Sequence, residues 1–168
     1  MRERSSVYID GIVDVSIIVP ACFDNPIRDK ALRFLEDALI QEIRVKIPVS
    51  AILGAYHITT RYLRAPREPV GRILKSMLET FSPAFFSDIS PRLAISALEE
   101  ATSFNIESWD GYLIAVARLH RTNTIFSLDR SLERVPGIRV VMPFTEEEVE
   151  EYHDFITDLL RKNGQAEG

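Results

Sequence analysis

The sequence predicts an α/β domain built on a mainly parallel sheet of about five strands. Two observations carry that expectation. Short β-rich runs alternate with amphipathic stretches along most of the chain, and strands separated by helices need crossover connections, which favour parallel pairing. The chain has 168 residues, 46% of them apolar, which suits one domain with a full core. No internal repeat or long linker interrupts the pattern.

The elements follow in order. Residues 6–14 (SVYIDGIVD) read as a first strand, and VSIIVPACF as a helix-length apolar run weakened by Pro20. Residues 25–41 predict an amphipathic helix with Asn25 as cap, Pro26 in the first turn and Ala31, Leu32, Leu35 and Leu39 as its apolar stripe. IRVKIP is a short strand, after which Ser50 is the expected cap of AILGAYHITTRYL. Residues 68–81 are a further helix and AFFSDI a strand; Ser90-Pro91 then opens another helix with a cap followed by proline. Ser108 is the expected cap of WDGYLIAVARLHR, TIFSLD a strand, RSLERV a short helix and IRVVMP a last strand. Thr145 to Glu148 fit a capping box. The helix they open carries Val149, Tyr152, Ile156 and Leu159 on one face. The expected division is therefore a domain over 1–144, a C-terminal amphipathic helix over 145–163 packed on the domain or on a dimer partner, and a disordered tail over 164–168.

Composition narrows the function classes. A net charge of −5 counts against a protein that coats duplex nucleic acid, though not against an enzyme that grips a short strand locally. A single cysteine, Cys22, in an apolar run predicts a buried inert thiol and a reducing, cytoplasmic setting. The start MRERSS predicts no secretory leader, and no apolar stretch is long enough to span a membrane. There is no GxSxG, no glycine-rich phosphate loop and no Cys/His zinc spacing. His120 and His153 are isolated and read as residues of solvated helix faces.

In open α/β sheets, ligands bind beyond the carboxyl ends of the strands. That rule selects Asp14 at the end of the first strand, Asp110 in the first turn of the helix before TIFSLD, and Asp129 at the end of that strand. Taken singly, each reads as a cap or as a carboxylate at the positive end of a helix dipole. Taken jointly, three carboxylates at one sheet edge repel one another unless a cation sits among them, and hard divalent cations prefer such oxygen ligands. Ser16 and Ser127, each two residues from an Asp, are placed to hydrogen-bond the carboxylates or a metal-bound water. Asp10 rivals Asp14, because VYID also reads as a strand ending on Asp.

The order IVDVSIIV, IPVSAILGAYHI, SWDGYLIAVARLHRTNTIFSLD, IRVVMP resembles the PIN domain nuclease family (the PilT N-terminus fold) over roughly residues 7–143. Asp14 with Ser16 matches the family's Asp-x-Ser/Thr after the first strand. Asp110 matches the Asp opening a late helix, and Ser127-Leu128-Asp129 matches the Ser/Thr-x-Asp that ends the next strand. The resemblance implies a three-layer α/β/α fold and hydrolysis of phosphodiesters in single-stranded RNA with Mg2+ or Mn2+ held by Asp14, Asp110 and Asp129. It also implies the toxin type of bacterial and archaeal toxin-antitoxin pairs, with an antitoxin-like protein partner, and a homodimer. The family's acid on the helix after the second strand is missing: SAILGAYHITTRYL holds none, and Gly54, Tyr56 or His57 stands in that neighbourhood. Three explanations stand: a site of three Asp residues with one ligand fewer, a substitute ligand in Glu107, or a degenerate site on a fold that binds without cutting.

An RNA-binding face is expected on the helix after the second strand. Gly54, His57, Arg61 and Arg64 stand at spacings of three and four, with Arg67 and Arg72 close behind, either as a phosphate track or as a solvated polar face. Trp109 and Tyr112 are either base-stacking residues or core. Three functions remain open: a metal-dependent ribonuclease, a non-catalytic RNA- or protein-binding module, and an unrelated Rossmann-like domain whose acids are caps.

Overall fold

The computed structural model describes residues 8–165. Five short strands form one all-parallel sheet: β1 Gly11–Val13, β2 Val45–Pro48, β3 Phe85–Phe86, β4 Thr124–Phe126 and β5 Arg139–Val141, in the order β3-β2-β1-β4-β5. The helices are α1 Val15–Ile18, α2 Arg28–Leu39, α3 Val49–His57, α4 Arg67–Leu78, α5 Pro91–Phe104, α6 Ser108–Leu119 and α7 Glu146–Gln165. A 3-10 turn at Val19–Cys22 extends α1, and another follows β4 at Arg130–Arg134.

The sheet separates two cores, which makes the fold three-layered. Successive strand residues point to opposite faces, so Val13 joins a core with α1 to α4 and α7 while Ile12 joins one with α5 and α6. The chain builds β1, β2 and β3 outward on one side, then places β4 on the other side of β1. Strand order therefore reverses between β1 and β4, and their carboxyl ends border the crevice where such sheets bind ligands.

Several caps differ from the sequence expectation. Asn25 does not cap α2; its amide reaches back to the carbonyls of Pro20 and Phe23, its oxygen accepts from the Ile27 N–H, and the helix starts at Arg28. Ser50 lies inside α3, which Pro48 precedes, and Ser108 lies inside α6, where Glu107 holds the cap position without a side-chain bond. Ser90 does cap α5, accepting from the Leu93 N–H. The Thr145–Glu148 capping box closes in both directions. The first strand is shorter than expected, and residues 6 and 7 of its predicted span lie outside the described residues.

Gly111 is the most closely approached of the described glycines. A Cβ there would stand 2.2 Å from the Ala97 carbonyl oxygen, so only glycine lets α6 approach α5 this closely.

Helix α7 lays Val149 and Tyr152 into the first core, with Ile156 and Leu159 beside them, and Phe155 meets the Phe23 ring at 6.4 Å. It reaches Gln165, beyond the expected end; residues 166–168 of the predicted tail lie outside the described residues. Two buried anchors of this size are worth about 3–6 kcal/mol. Deleting residues 145–168 is therefore expected to lower the thermal unfolding midpoint by at least ten degrees or so, and an unchanged midpoint would contradict the packing. Cys22 is buried, donates its S–H to the Ile18 carbonyl, and has its thiol pushed up to about 12 by burial, which makes it inert. His120 is not solvated: it is half-buried, its Nδ1 lies 2.9 Å from the Val116 carbonyl, and its ring meets Phe86 edge-on. Among the described residues no helix is long and apolar enough to cross a membrane.

Candidate active site

Asp14 follows β1 and is 7% exposed. Its Oδ1 accepts from the Val15 N–H at 2.7 Å, capping α1. Its Oδ2 accepts from the Ser16 hydroxyl at 2.8 Å and from the Ser127 hydroxyl at 2.7 Å. The two hydroxyls lie 3.2 Å apart. They are held in turn by the chain after β4, because the Leu128 N–H donates to Ser16 and the Asp129 N–H to Ser127. The bonds stitch the carboxyl ends of β1 and β4 together at the reversal point, with a fixed carboxylate in the middle. Ser16 and Ser127 thus both hydrogen-bond the Asp14 carboxylate. Asp10 belongs elsewhere: it precedes β1, at the amino edge of the sheet, and its carboxylate accepts from the Arg44 N–H.

Asp110 sits in the first turn of α6, half-buried. Because α6 leads back into β4, its first turn lies at the same carboxyl edge. The Asp110 carboxyl is raised from 3.8 to about 6, first by desolvation, then by the negative charges of Asp14, Asp129 and Glu107, while the Arg134 guanidinium pulls the other way. Asp129 is exposed and caps the turn at Arg130–Arg134, accepting from the Ser131 N–H. Asp110 is therefore the centre of an acidic neighbourhood that contains the other three acids. The four do not form a ready cage: among the described residues no three Asp, Glu, His or Cys side chains stand close enough to hold a metal ion as they are.

The sign of the Asp110 shift gives a test. Its folded pKa is raised, so its stabilising contribution is complete below pH 3.8 and is lost as pH rises through about 6. Discounted for partial exposure, the penalty at neutral pH is about 1–2 kcal/mol. In chelator, Asp110→Asn should be more stable than the parent near neutral pH by that amount and should lack the decline over that window. Urea denaturation across the window reads both, and a variant less stable than its parent would contradict the repulsion.

Two cavities flank the carboxylates. One, of about 210 Å3, is lined by Val15, Ser50, Gly54, His57, Ile58 and Trp109. The other, of about 300 Å3, runs from Ser16 and Asp129 to Tyr152, His153 and Ile156 of α7. Val15 and Ile58 belong to both walls.

The residues of the expected RNA face are divided between two pockets. After His57 the backbone widens into a π turn over Ile58–Tyr62, with the Leu63 N–H bonding the Ile58 carbonyl. Thr60 adds a bond to the Tyr56 carbonyl. The turn slips the helical phase. His57 consequently lines the cavity with Trp109, whereas Arg61 and Arg64 line a separate depression with Leu160 and Asn163. Arg72 pairs with Glu68 at 2.6 Å, which neutralises that end of the supposed track. Tyr112 is buried, with its hydroxyl bonded to the Asp88 carbonyl, so it is core; Trp109 is half-buried and faces the cavity. Sequence reasoning missed Arg134, since one arginine in RSLER carries no signal that it faces Asp110.

A search of curated proteins finds no match. A solved toxin-antitoxin complex from Klebsiella pneumoniae contains a chain that is similar with a TM-score of 0.55 over 80% of this chain and 98% of its own. At 18% identity the likeness is one of fold. The sequence itself matches the PIN domain over residues 11–138, more than three quarters of its length. With its β3-β2-β1-β4-β5 sheet and three-layer architecture, the chain belongs to the PIN domain family.

Proposed function

We propose that the protein is a metal-dependent ribonuclease that hydrolyses phosphodiesters of single-stranded RNA. The observation that carries this is the buried Asp14 carboxylate, fixed by Ser16 and Ser127 where the carboxyl ends of β1 and β4 meet, with Asp110, Asp129 and Glu107 in the same acidic neighbourhood. The donor set is all oxygen and negatively charged, which fits a hard divalent cation, Mg2+ or Mn2+. Asp14, Asp110 and Asp129 would hold it, with Glu107 as the fourth carboxylate in place of the acid that α3 lacks. Such a cation acidifies a bound water and neutralises charge building on the phosphate.

The chain's own residues do the rest. Ser16 and Ser127 fix the Asp14 carboxylate through Oδ2, so it presents one orientation to the crevice. A bound cation would offset the repulsion that Asp110 meets from its neighbours and favour its ionised form. Arg134 adds a positive charge on the Asp110 side, where a phosphate would approach. No protein nucleophile is required.

Millimolar Mn2+ is expected to raise the unfolding midpoint by several degrees and to support cleavage of single-stranded RNA. Glu107→Gln should weaken both; unchanged binding and cleavage in that variant would leave a three-Asp site. Wild type that neither binds Mn2+ nor cleaves RNA would sink the ribonuclease. The absence of an acid from α3, together with acids that do not yet converge, favours the second reading, a catalytically degenerate RNA- or protein-binding module. An antitoxin-like partner is proposed from the likeness to the Klebsiella pneumoniae complex. A homodimer is proposed with exposed Ile95 and Leu98, one turn apart on α5, as support. Cytoplasmic residence is proposed on the single free cysteine.

A further inference from the structure

We propose that the cavity between α3 and Trp109 holds one nucleobase of a single-stranded nucleic acid, fixing the strand beside Asp14 and Asp110. This rests on the ribonuclease proposal and names how its substrate is gripped. The cavity has about 210 Å3, room for a single flat ring system, and two of its residues are chain neighbours of the carboxylates: Val15 of Asp14, and Trp109 of Asp110. Ser50, Gly54 and His57, four and three residues apart, present one face of α3 to it.

The aromatic wall is preorganised. Trp109 stacks on Tyr112 at 5.2 Å and 28°, and Tyr112 is anchored through its hydroxyl to the Asp88 carbonyl. An indole held this way offers a fixed face for base stacking. His57, exposed and lining the cavity, is set edge-on against Tyr62 at 5.5 Å, and its ring nitrogens are the polar groups assigned to a base edge. Gly54 leaves the space open. A Cβ there would meet Val15 Cγ2 at 3.5 Å, an ordinary contact, so the fold does not demand glycine. A phosphate gains little from this apolar wall, whereas a nucleobase offers a flat face for the indole and polar edges for the mouth.

Trp109 is the only tryptophan, so the protein's tryptophan fluorescence comes from a wall of this cavity. In chelator, a short single-stranded oligoribonucleotide is compared with an abasic strand of equal length and charge. The base-containing strand should quench Trp109 and bind roughly 5- to 100-fold more tightly. Gly54→Leu should erase that difference, read by anisotropy of a labelled strand, while keeping a cooperative unfolding transition. If that variant does not fold, His57→Ala, at an exposed position, should reduce the difference. Equal binding of the two strands by wild type overturns the inference, as does Gly54→Leu that folds and retains the full difference. Mn2+-dependent cleavage together with equal binding would remove the base site and keep the ribonuclease. Base-dependent quenching without cleavage would keep the base site and remove the ribonuclease.

Discussion

Asp14→Asn is expected to lower metal-dependent cleavage of single-stranded RNA on the order of 10³-fold while the fold survives. The residue is buried and accepts three hydrogen bonds, from the Val15 N–H and the Ser16 and Ser127 hydroxyls. Asparagine keeps the shape. Its amide oxygen still accepts, and a serine hydroxyl can turn to accept from its N–H, so hydrogen bonding reorganises rather than fails. What disappears is a negative charge at the sheet's reversal point, where the proposed cation would bind. Asp14→Ala is a different experiment. It strands the Val15 N–H and both hydroxyls in a buried corner and is expected to cost about 2–4 kcal/mol of stability. Cleavage of a labelled strand in Mn2+, with urea unfolding as the control, separates the two effects. Wild-type rates from Asp14→Asn would remove Asp14 from the chemistry.

Gly111→Ala is expected to destabilise the protein by about 3 kcal/mol, a large part of the stability of an ordinary domain. Two effects oppose each other here, and magnitude decides. Alanine in a helix interior is favoured over glycine by about 0.5–1 kcal/mol. Against that, the added methyl would lie 2.2 Å from the Ala97 carbonyl oxygen and 3.0 Å from the Ala101 Cβ. The first obstacle is backbone, which cannot rotate away as a side chain would, so α5 and α6 must separate and loosen the core that Leu93, Tyr112 and Leu113 share. Urea denaturation gives the sign directly. A stabilised variant would show that the two helices have freedom to part.

The site and its framework differ in how far they could be read from residues alone. Alternating strand and helix segments placed every strand near its observed position, because burial imposes a periodicity on the sequence. The same logic, joined to the rule about strand ends, selected Asp14, Asp110 and Asp129 and put Ser16 and Ser127 beside them. Caps were less legible. Serine or asparagine near a helix start has several backbone partners within reach, and Asn25 took the carbonyls of Pro20 and Phe23 instead of the helix N-terminus. The RNA face was less legible for a sharper reason. A helical wheel assumes constant pitch, and the π turn after His57 breaks it, so His57 lines one cavity while Arg61 and Arg64 line the next, with Tyr62 between them.

By itself the sequence determined the element order, the parallel sheet, the family and the acids worth inspecting, since each depends on local pattern or on chain order. Tertiary structure alone decided which groups act on one another. Asp14 is locked by a serine 113 residues away, and Asp110 is pushed to about 6 by burial and by the charges of Asp14 and Asp129 from two other segments of the chain, with Glu107 at the start of its own helix adding to them. Only the packed fold shows Arg134 opposing that push, His57 and Trp109 lining one cavity, and α7 forming a wall of the second. The physical reason is that hydrophobic periodicity is written along the chain, whereas electrostatic and cavity-forming contacts depend on distances between segments that only folding brings together.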